Sequence, residues 1–342
     1  MYGFFDLNDL SRSEISDLLD LARDLKKNPK SRALEGKVLA LLFLSPSLRT
    51  STSFQSAMAR LGGSSFVVTP ESGIHGLETS FNVKMDGTKA EHIREAIPVL
   101  ASYGDVLGIR SFAPQNSLAD DLADIDFKKM AALSSIPVIN MESAIRHPCQ
   151  SLADWLTMED LAIPDRAGKL VLSWANHPKS LPLAVPVSTV HMAAMRGMEV
   201  TVLRPSGFEL PESVMASARQ LAAESGGSVT ETDNQREALD GADVIYAKAW
   251  SSSLYYGDDA TQRELKKNLT HWCVDDTWFE GAADHCQFMH CLPVRRGVVV
   301  DEKVLEGPRS IVVQQARNRM WAQMAILHKI LVPKAQKKTE AM

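Results

Sequence analysis

The chain has 342 residues, more than one ordinary hydrophobic core holds and suited to two domains. Its 45% hydrophobic and 23% charged residues are those of a soluble globular protein, and a net charge of -5 leaves no basic footprint for nucleic acid. The longest apolar run, Val38 to Leu44, is too short to span a bilayer, and Met1 to Leu10 lacks the basic stretch of a signal peptide.

Ser11 and Glu14 make a capping box, and Ile15, Leu18, Leu19, Ala22 and Leu25 then share one helical face. Residues 37–44 read as a buried parallel strand. The polar stretch SPSLRTS follows, then a helix stopping at Gly62-Gly63. Thr88 and Glu91 are expected to cap a helix running to about Ser102. Asp105 to Ile109 is strand-like, 118–133 helix-like, and Pro137 to Asn140 strand-like. After a helix at about 150–161, Pro164 to Gly168 reads as a linker edge. Strands are then expected at Lys169–Trp174, Glu199–Leu203, Ser228–Glu231 and Asp243–Ala247, with one helix ending at Gly197 and another before Gly226-Gly227. A long helix from about Gln314 to Ile330 has one apolar face, and Lys334, Lys337 and Lys338 read as a solvated tail. The expected fold is α/β, with two doubly wound parallel-sheet domains and the C-terminal helix packing back on the first. The domains are expected at 1–148 (with helix 312–342 returning to it) and 149–311. The segment after the first strand of the second unit, WANHPKSLP, lacks the dinucleotide-binding glycine pattern.

Three short motifs stand out. Ser47, Arg49 and Thr50 lie where a strand gives way to a helix, and hydroxyls and a guanidinium at a helix N-terminus make a phosphate cradle. His147-Pro148-x-Gln150 opens another helix beside a sheet edge. His290-Cys291-Leu292-Pro293 precedes Arg295-Arg296. Singly, each has an ordinary explanation: a helix cap, a satisfied histidine, a solvated arginine pair. A thiol-protease reading of His290-Cys291 fails because neighbours on an extended segment point apart. Cys149, Cys273, Cys286 and Cys291 have no metal-type spacing and read as free thiols of a reducing cytoplasm.

Together, in this order, with Arg110 at the end of its strand and Asn318-Arg319 near the C-terminus, the motifs resemble the aspartate/ornithine carbamoyltransferase family. SPSLRT, MDGTKAEHIREAIPVL, MESAIRHPCQSLAD, HPKSLPLAVP, DVIYAKAW and FMHCLPVRR carry the likeness over nearly the whole chain, and bring it nearest to members acting on N-acylated ornithines. The resemblance implies that Ser47, Leu48 (through its backbone), Arg49 and Thr50 hold the phosphate of carbamoyl phosphate. It gives the carbonyl and amide to Arg110, His147 and Gln150, with backbone carbonyls from Cys291 and Leu292, and has Arg319 complete the pocket. It assigns the acylornithine to Glu142, His177, Lys248 and Arg295, and makes Thr50, Arg110, His147 and Arg319 catalytic. It also implies a homotrimer in the cytoplasm, with a loop at about 70–86, including His75, reaching a neighbouring subunit's site. Neither metal nor cofactor is expected.

The chain departs from the family pattern at Ser51, His75, Arg317 and Ala90. Where ordinary ornithine enzymes carry an Asp for a free α-amine, this chain has Lys248, which suits an acylated one. Ala90 stands where acetyl-type relatives have Glu and succinyl-type relatives have Pro, which favours succinyl. Two alternatives stay open: an ordinary ornithine carbamoyltransferase, and a silent member acting as a binding subunit. Lys248 argues against the first and the intact motifs against the second.

Overall fold

The computed structural model describes residues 3–29, 31–70 and 76–333; His75 and the lysines of the tail lie outside them. Ser11 and Glu14 form the expected reciprocal cap, and α1 (Arg12–Lys27) buries the five predicted apolar residues. In chain order follow β1 (Val38–Phe43), α2 (Leu48–Arg60), β2 (Ser64–Val68), β3 (Leu77–Glu78), β4 (Glu91–His92), α3 (Ile93–Tyr103), β5 (Val106–Arg110), α4 (Leu118–Ala123), α5 (Ile125–Ala131), β6 (Val138–Glu142) and α6 (Pro148–Asp160). The second half runs β7 (Lys169–Trp174), α7 (Ala184–Arg196), β8 (Glu199–Leu203), α8 (Glu212–Ser225), β9 (Ser228–Thr232), α9 (Gln235–Leu239), β10 (Val244–Lys248), α10 (Asp259–Lys266), β11 (Gln287–Met289), α11 (Glu302–Glu306) and α12 (Val312–Leu331).

Two parallel sheets result, ordered β2-β1-β5-β6 and β11-β10-β7-β8-β9. Their central strands are buried on both faces, which is why β5 and β10 carry no charged residue before the Arg110 and Lys248 that end them. In each sheet the chain winds outward from one strand and then returns to its other side. The winding reverses between β1 and β5, and between β7 and β10. A crevice opens at the carboxyl ends of such a strand pair. As expected, α12 packs back against α1 and α2, and it also lies along α6.

Three expectations need correction. The helix at 118–133 is two helices, because Asp124 takes a left-handed conformation (φ 55°). Its carboxylate accepts from Ser143 Oγ at 2.6 Å and Ala144 N at 3.2 Å, so tertiary bonds hold a conformation that Asp tolerates better than most residues. His92, not Thr88, caps α3, accepting from Arg94 N at 3.1 Å. Glu91 pairs instead in the short ladder with Leu77, so Ala90 precedes the helix rather than lying in its first turn. Strands β2 and β11 went unread, one being half exposed and the other three residues long. No helix among the described residues is long and apolar enough to cross a membrane.

His191, on α7, anchors the N-terminal segment. Its Nε2 lies 3.2 Å from the Val214 carbonyl, which only accepts, so Nε2 carries the proton and Nδ1 accepts from Asn8 Nδ2 at 3.0 Å. Burial, with help from the Arg146 charge, lowers its pKa from 6.5 to about 4. Between those values the unfolded chain binds the proton and the folded chain does not. Stability is therefore expected to fall as pH drops from 6.5 toward 4, and His191→Gln to flatten part of that slope. Melting temperatures at pH 7 and pH 5 for both proteins measure it.

Candidate active site

The first crevice holds an anion cradle. Ser47 is the N-cap of α2, accepting from Thr50 N at 3.2 Å, and Leu48, Arg49 and Thr50 form the first turn. Their backbone N–H groups and the positive end of the helix dipole meet there. Thr50 is fully buried, and its Oγ1 accepts from Ser47 Oγ at 3.1 Å and from Arg319 on α12 at 2.8 Å. The returning helix thus braces the cradle directly.

Arg110 enters from the end of β5. The register between β5 and β6 shifts after Ile109, so Arg110 faces Glu142 and not the core residue Met141. Arg110 and the Glu142 carboxylate form a buried ion pair, and His147 Nε2 lies 3.4 Å from the same carboxylate. His147 ends the loop after β6, and its backbone N donates to Ser188 Oγ at 2.7 Å. Burial, and then the charges of Arg319, Arg110, Arg49 and Lys248, push its pKa well below 6.5, so the ring is neutral at pH 7.

The second crevice faces the first. His177 follows β7 and Lys248 ends β10, both on the side of the cradle. Lys248 Nζ donates to the Ala249 carbonyl at 3.0 Å. Arg295 Nε lies 3.0 Å from His177 Nε2, and His177 Nδ1 sits 3.1 Å from the Lys179 backbone N and 3.2 Å from its carbonyl. Burial first, and then the Lys248 and Arg295 charges, lower His177 to about 4. His290 Nδ1 accepts from Leu292 N at 2.9 Å, shaping the turn that brings Cys291 and Leu292 to the cleft.

Together these elements line a cleft of about 450 Å³. Ser47, Leu48, Arg49, Arg110, Glu142, His147, His177, Lys248, Cys291, Leu292 and Arg319 face it. Of the other candidates, Thr50 and Gln150 lie buried behind it and Arg295 reaches it through His177. Ala90 does not line it. It sits exposed beside Lys89, which lines a neighbouring hollow of about 440 Å³ that shares Phe112 with the cleft. Ser51 accepts from Gln55 at 3.0 Å, and Arg317 is exposed on α12, so neither departure touches the cleft.

Four cations (Arg49, Arg110, Arg319 and Lys248) face one carboxylate, Glu142. The Nε atoms of Arg49, Arg110 and Arg319, Nδ1 of His147 and Oε1 of Gln150 are buried without a partner among the described residues. Buried polar groups are normally paired, so this concentration marks a ligand site for an anion that also carries hydrogen-bond donors and acceptors. Positive charge also favours the neutral form of an incoming amine, the form that attacks. Sequence reasoning missed the apolar wall of Phe112, Leu181, Pro182 and Val185, and the buried network of Asp154, Tyr246 and Gln315 behind the cleft. Asp154, one helical turn after Gln150, was legible by spacing; the others are joined only by the fold.

Residues 3–160 match the family described as aspartate/ornithine carbamoyltransferase, carbamoyl-P binding domain, and residues 184–330 match its Asp/Orn binding domain. An N-acetylornithine carbamoyltransferase of Xanthomonas campestris pv. campestris is 38% identical over 95% of this chain and 96% of its own length. An N-succinylornithine carbamoyltransferase of Bacteroides fragilis is 36% identical over 95% and 96%. The solved structure of acetylornithine transcarbamylase complexed with acetylcitrulline superposes with a TM-score of 0.92 at 37% identity, covering 98% of this chain and all of that one.

Proposed function

The chain belongs to the aspartate/ornithine carbamoyltransferase family, and from that membership we propose that it moves the carbamoyl group of carbamoyl phosphate onto the side-chain amine of an N-acyl-L-ornithine. The products are the N-acylcitrulline and phosphate, in arginine biosynthesis. The observation that carries the reading is the cation-lined cleft at the switch points of both sheets, with its unpaired donors. Residues 1–148 with the returning C-terminal segment supply most of the contacts to carbamoyl phosphate, and 149–311 most of those to the acylornithine.

The Ser47–Thr50 turn binds the phosphate by its backbone N–H groups, hydroxyls and the Arg49 guanidinium. Arg110, His147, Thr50 and Arg319 meet the carbonyl oxygen, where negative charge grows as the neutral amine attacks. Gln150 and the backbone carbonyls of Cys291 and Leu292 accept from the carbamoyl NH2. Each donor at a developing oxyanion contributes roughly 3 kcal/mol. The C–O bond to phosphate then breaks, and the leaving phosphate takes the amine proton. Lys248 and Arg295 match the α-carboxylate, with Glu142 and His177 against the rest of the acylornithine.

The acyl group is succinyl. Ala90 is small and neutral, and it leaves room beside the neighbouring hollow, where Lys89 is held by Glu78 at 3.1 Å. The location of Ala90 ahead of α3 removes any help from that helix's dipole, so room and the absence of a negative charge carry the case. The enzyme works in the cytoplasm as a homotrimer whose loop at about 70–86, with His75, completes a neighbour's site. Leu48, 75% exposed at the cleft, is an apolar residue that a second chain would cover. Light scattering reads the assembly.

The test is kcat/KM for ornithine, N-acetylornithine and N-succinylornithine on the wild type and on Ala90→Glu. Succinylornithine is expected to be best, and the new carboxylate to lower it relative to acetylornithine by roughly tenfold through repulsion. A preference for free ornithine would overturn the acylornithine reading; an unchanged ratio in Ala90→Glu would overturn the succinyl assignment.

A further inference from the structure

Asp154 lies on α6 one turn beyond Gln150 and is fully buried. Its Oδ1 accepts from Gln150 Nε2 at 2.8 Å and from Gln315 Nε2 at 2.8 Å, and its Oδ2 accepts from the Tyr246 hydroxyl at 3.0 Å. None of these four side chains is more than 2% exposed. Gln315 turns its own oxygen to the backbone N–H of His290, at 3.0 Å. Gln150 Oε1 is buried and has no partner among the described residues.

An ionised carboxylate accepts hydrogen bonds and donates none. Any amide facing it must present its NH2 group, which commits the amide oxygen to the other side. Above its pKa of about 7, Asp154 therefore sets the orientation of both glutamines at once. One keeps an unpaired acceptor buried beside the cleft. The other tethers the start of the His290-Cys291-Leu292 turn. No cation touches Asp154, and burial pushes its pKa up to about 7 against three donated bonds. A buried carboxyl without a paired cation is costly, so packing alone does not explain it.

We propose that Asp154 is the positioning residue through which the site selects a ligand bearing an amide N–H donor over one bearing a methyl group of the same size. It does so by holding Gln150 Oε1, and through Gln315 the Cys291–Leu292 carbonyls, toward that donor. The inference rests on the reading above that these acceptors meet the carbamoyl NH2. Acetyl phosphate is the discriminating ligand. It keeps the phosphate and carbonyl, replaces NH2 by CH3, and leaves the buried acceptors unpaired.

Calorimetric dissociation constants for carbamoyl phosphate and acetyl phosphate are measured at pH 8 on the wild type, Asp154→Leu and Asp154→Asn. The wild type is expected to prefer carbamoyl phosphate by roughly a hundredfold. Asp154→Leu frees the Gln150 amide to rotate and lowers that preference by roughly tenfold, weakening carbamoyl phosphate and sparing acetyl phosphate. Asp154→Asn keeps the preference, because its oxygen still faces both glutamines and its NH2 faces Tyr246. Equal weakening of both ligands in Asp154→Leu, or loss of preference in Asp154→Asn, overturns the proposal. If Asp154→Leu does not fold, neutron diffraction of the wild type with phosphonoacetamide, a stable isostere of carbamoyl phosphate, decides it. Gln150 must turn its deuterated Nε2 amide to Asp154; the opposite orientation overturns the proposal. A wild type that binds both phosphates alike sinks the carbamoyltransferase reading instead.

Discussion

Arg110→Ala is expected to lower kcat by roughly a thousandfold while leaving the chain folded. Two losses coincide. The guanidinium at the end of β5 is a proposed donor to the carbonyl oxygen as its charge grows, a contact made mainly in the transition state. It is also the buried partner of Glu142. Removing it leaves that carboxylate in the cleft without its ion-pair partner, with neutral His147 at 3.4 Å. Breaking one side of a buried ion pair costs more than the pair was worth, because the remaining charge stays desolvated. Arg110→Lys should not restore activity, since a point charge on a flexible stem cannot reproduce a planar fork. Adding Glu142→Gln to Arg110→Ala should recover melting temperature but not kcat. Recovery of kcat by that second change would show that Arg110 acts only by neutralising Glu142.

Arg49→Ala is expected to lower kcat/KM for carbamoyl phosphate by roughly a thousandfold, through loss of about two charge-assisted hydrogen bonds. Arg49 lines the cleft with its Nε buried and unpaired, and burial followed by the neighbouring Arg110 charge lowers its pKa. A phosphate placed against the α2 N-terminus relieves both conditions. The guanidinium binds charge present in the ground state and in the transition state, so KM should rise and kcat should fall together. Inhibition by inorganic phosphate should weaken in parallel. Kinetics near those of the wild type would return Arg49 to an ordinary surface role.

Local signals in the sequence were sufficient where local physics decides the outcome. The capping box at Ser11 and Glu14 with its five apolar positions, the β7 and β8 strands at their observed ends, and the glycine after α7 follow from hydrogen-bond stoichiometry, side-chain period and backbone freedom. The ordered motifs were enough to name the family and most of the residues that now line the cleft. What failed locally had a tertiary cause. Thr88 loses the cap of α3 because Glu91 is drawn into a ladder with Leu77, and the helix at Asp124 breaks because Ser143 and Ala144 reach its carboxylate from the loop after β6. The site itself was decided the same way. Only the winding of the two sheets sets the carboxyl ends of β1 and β5 against those of β7 and β10, and only the register shift after Ile109 turns Arg110 to Glu142. The return of α12 brings Arg319 to Thr50 across 269 positions, and the same helix joins Gln315 to Asp154. Spacing along a chain reports which side chains share a face of one element; which faces meet is set by the packing of whole elements, and it is there that four cations and one carboxylate converge on one cleft, with a glutamine bound to Asp154 buried behind it.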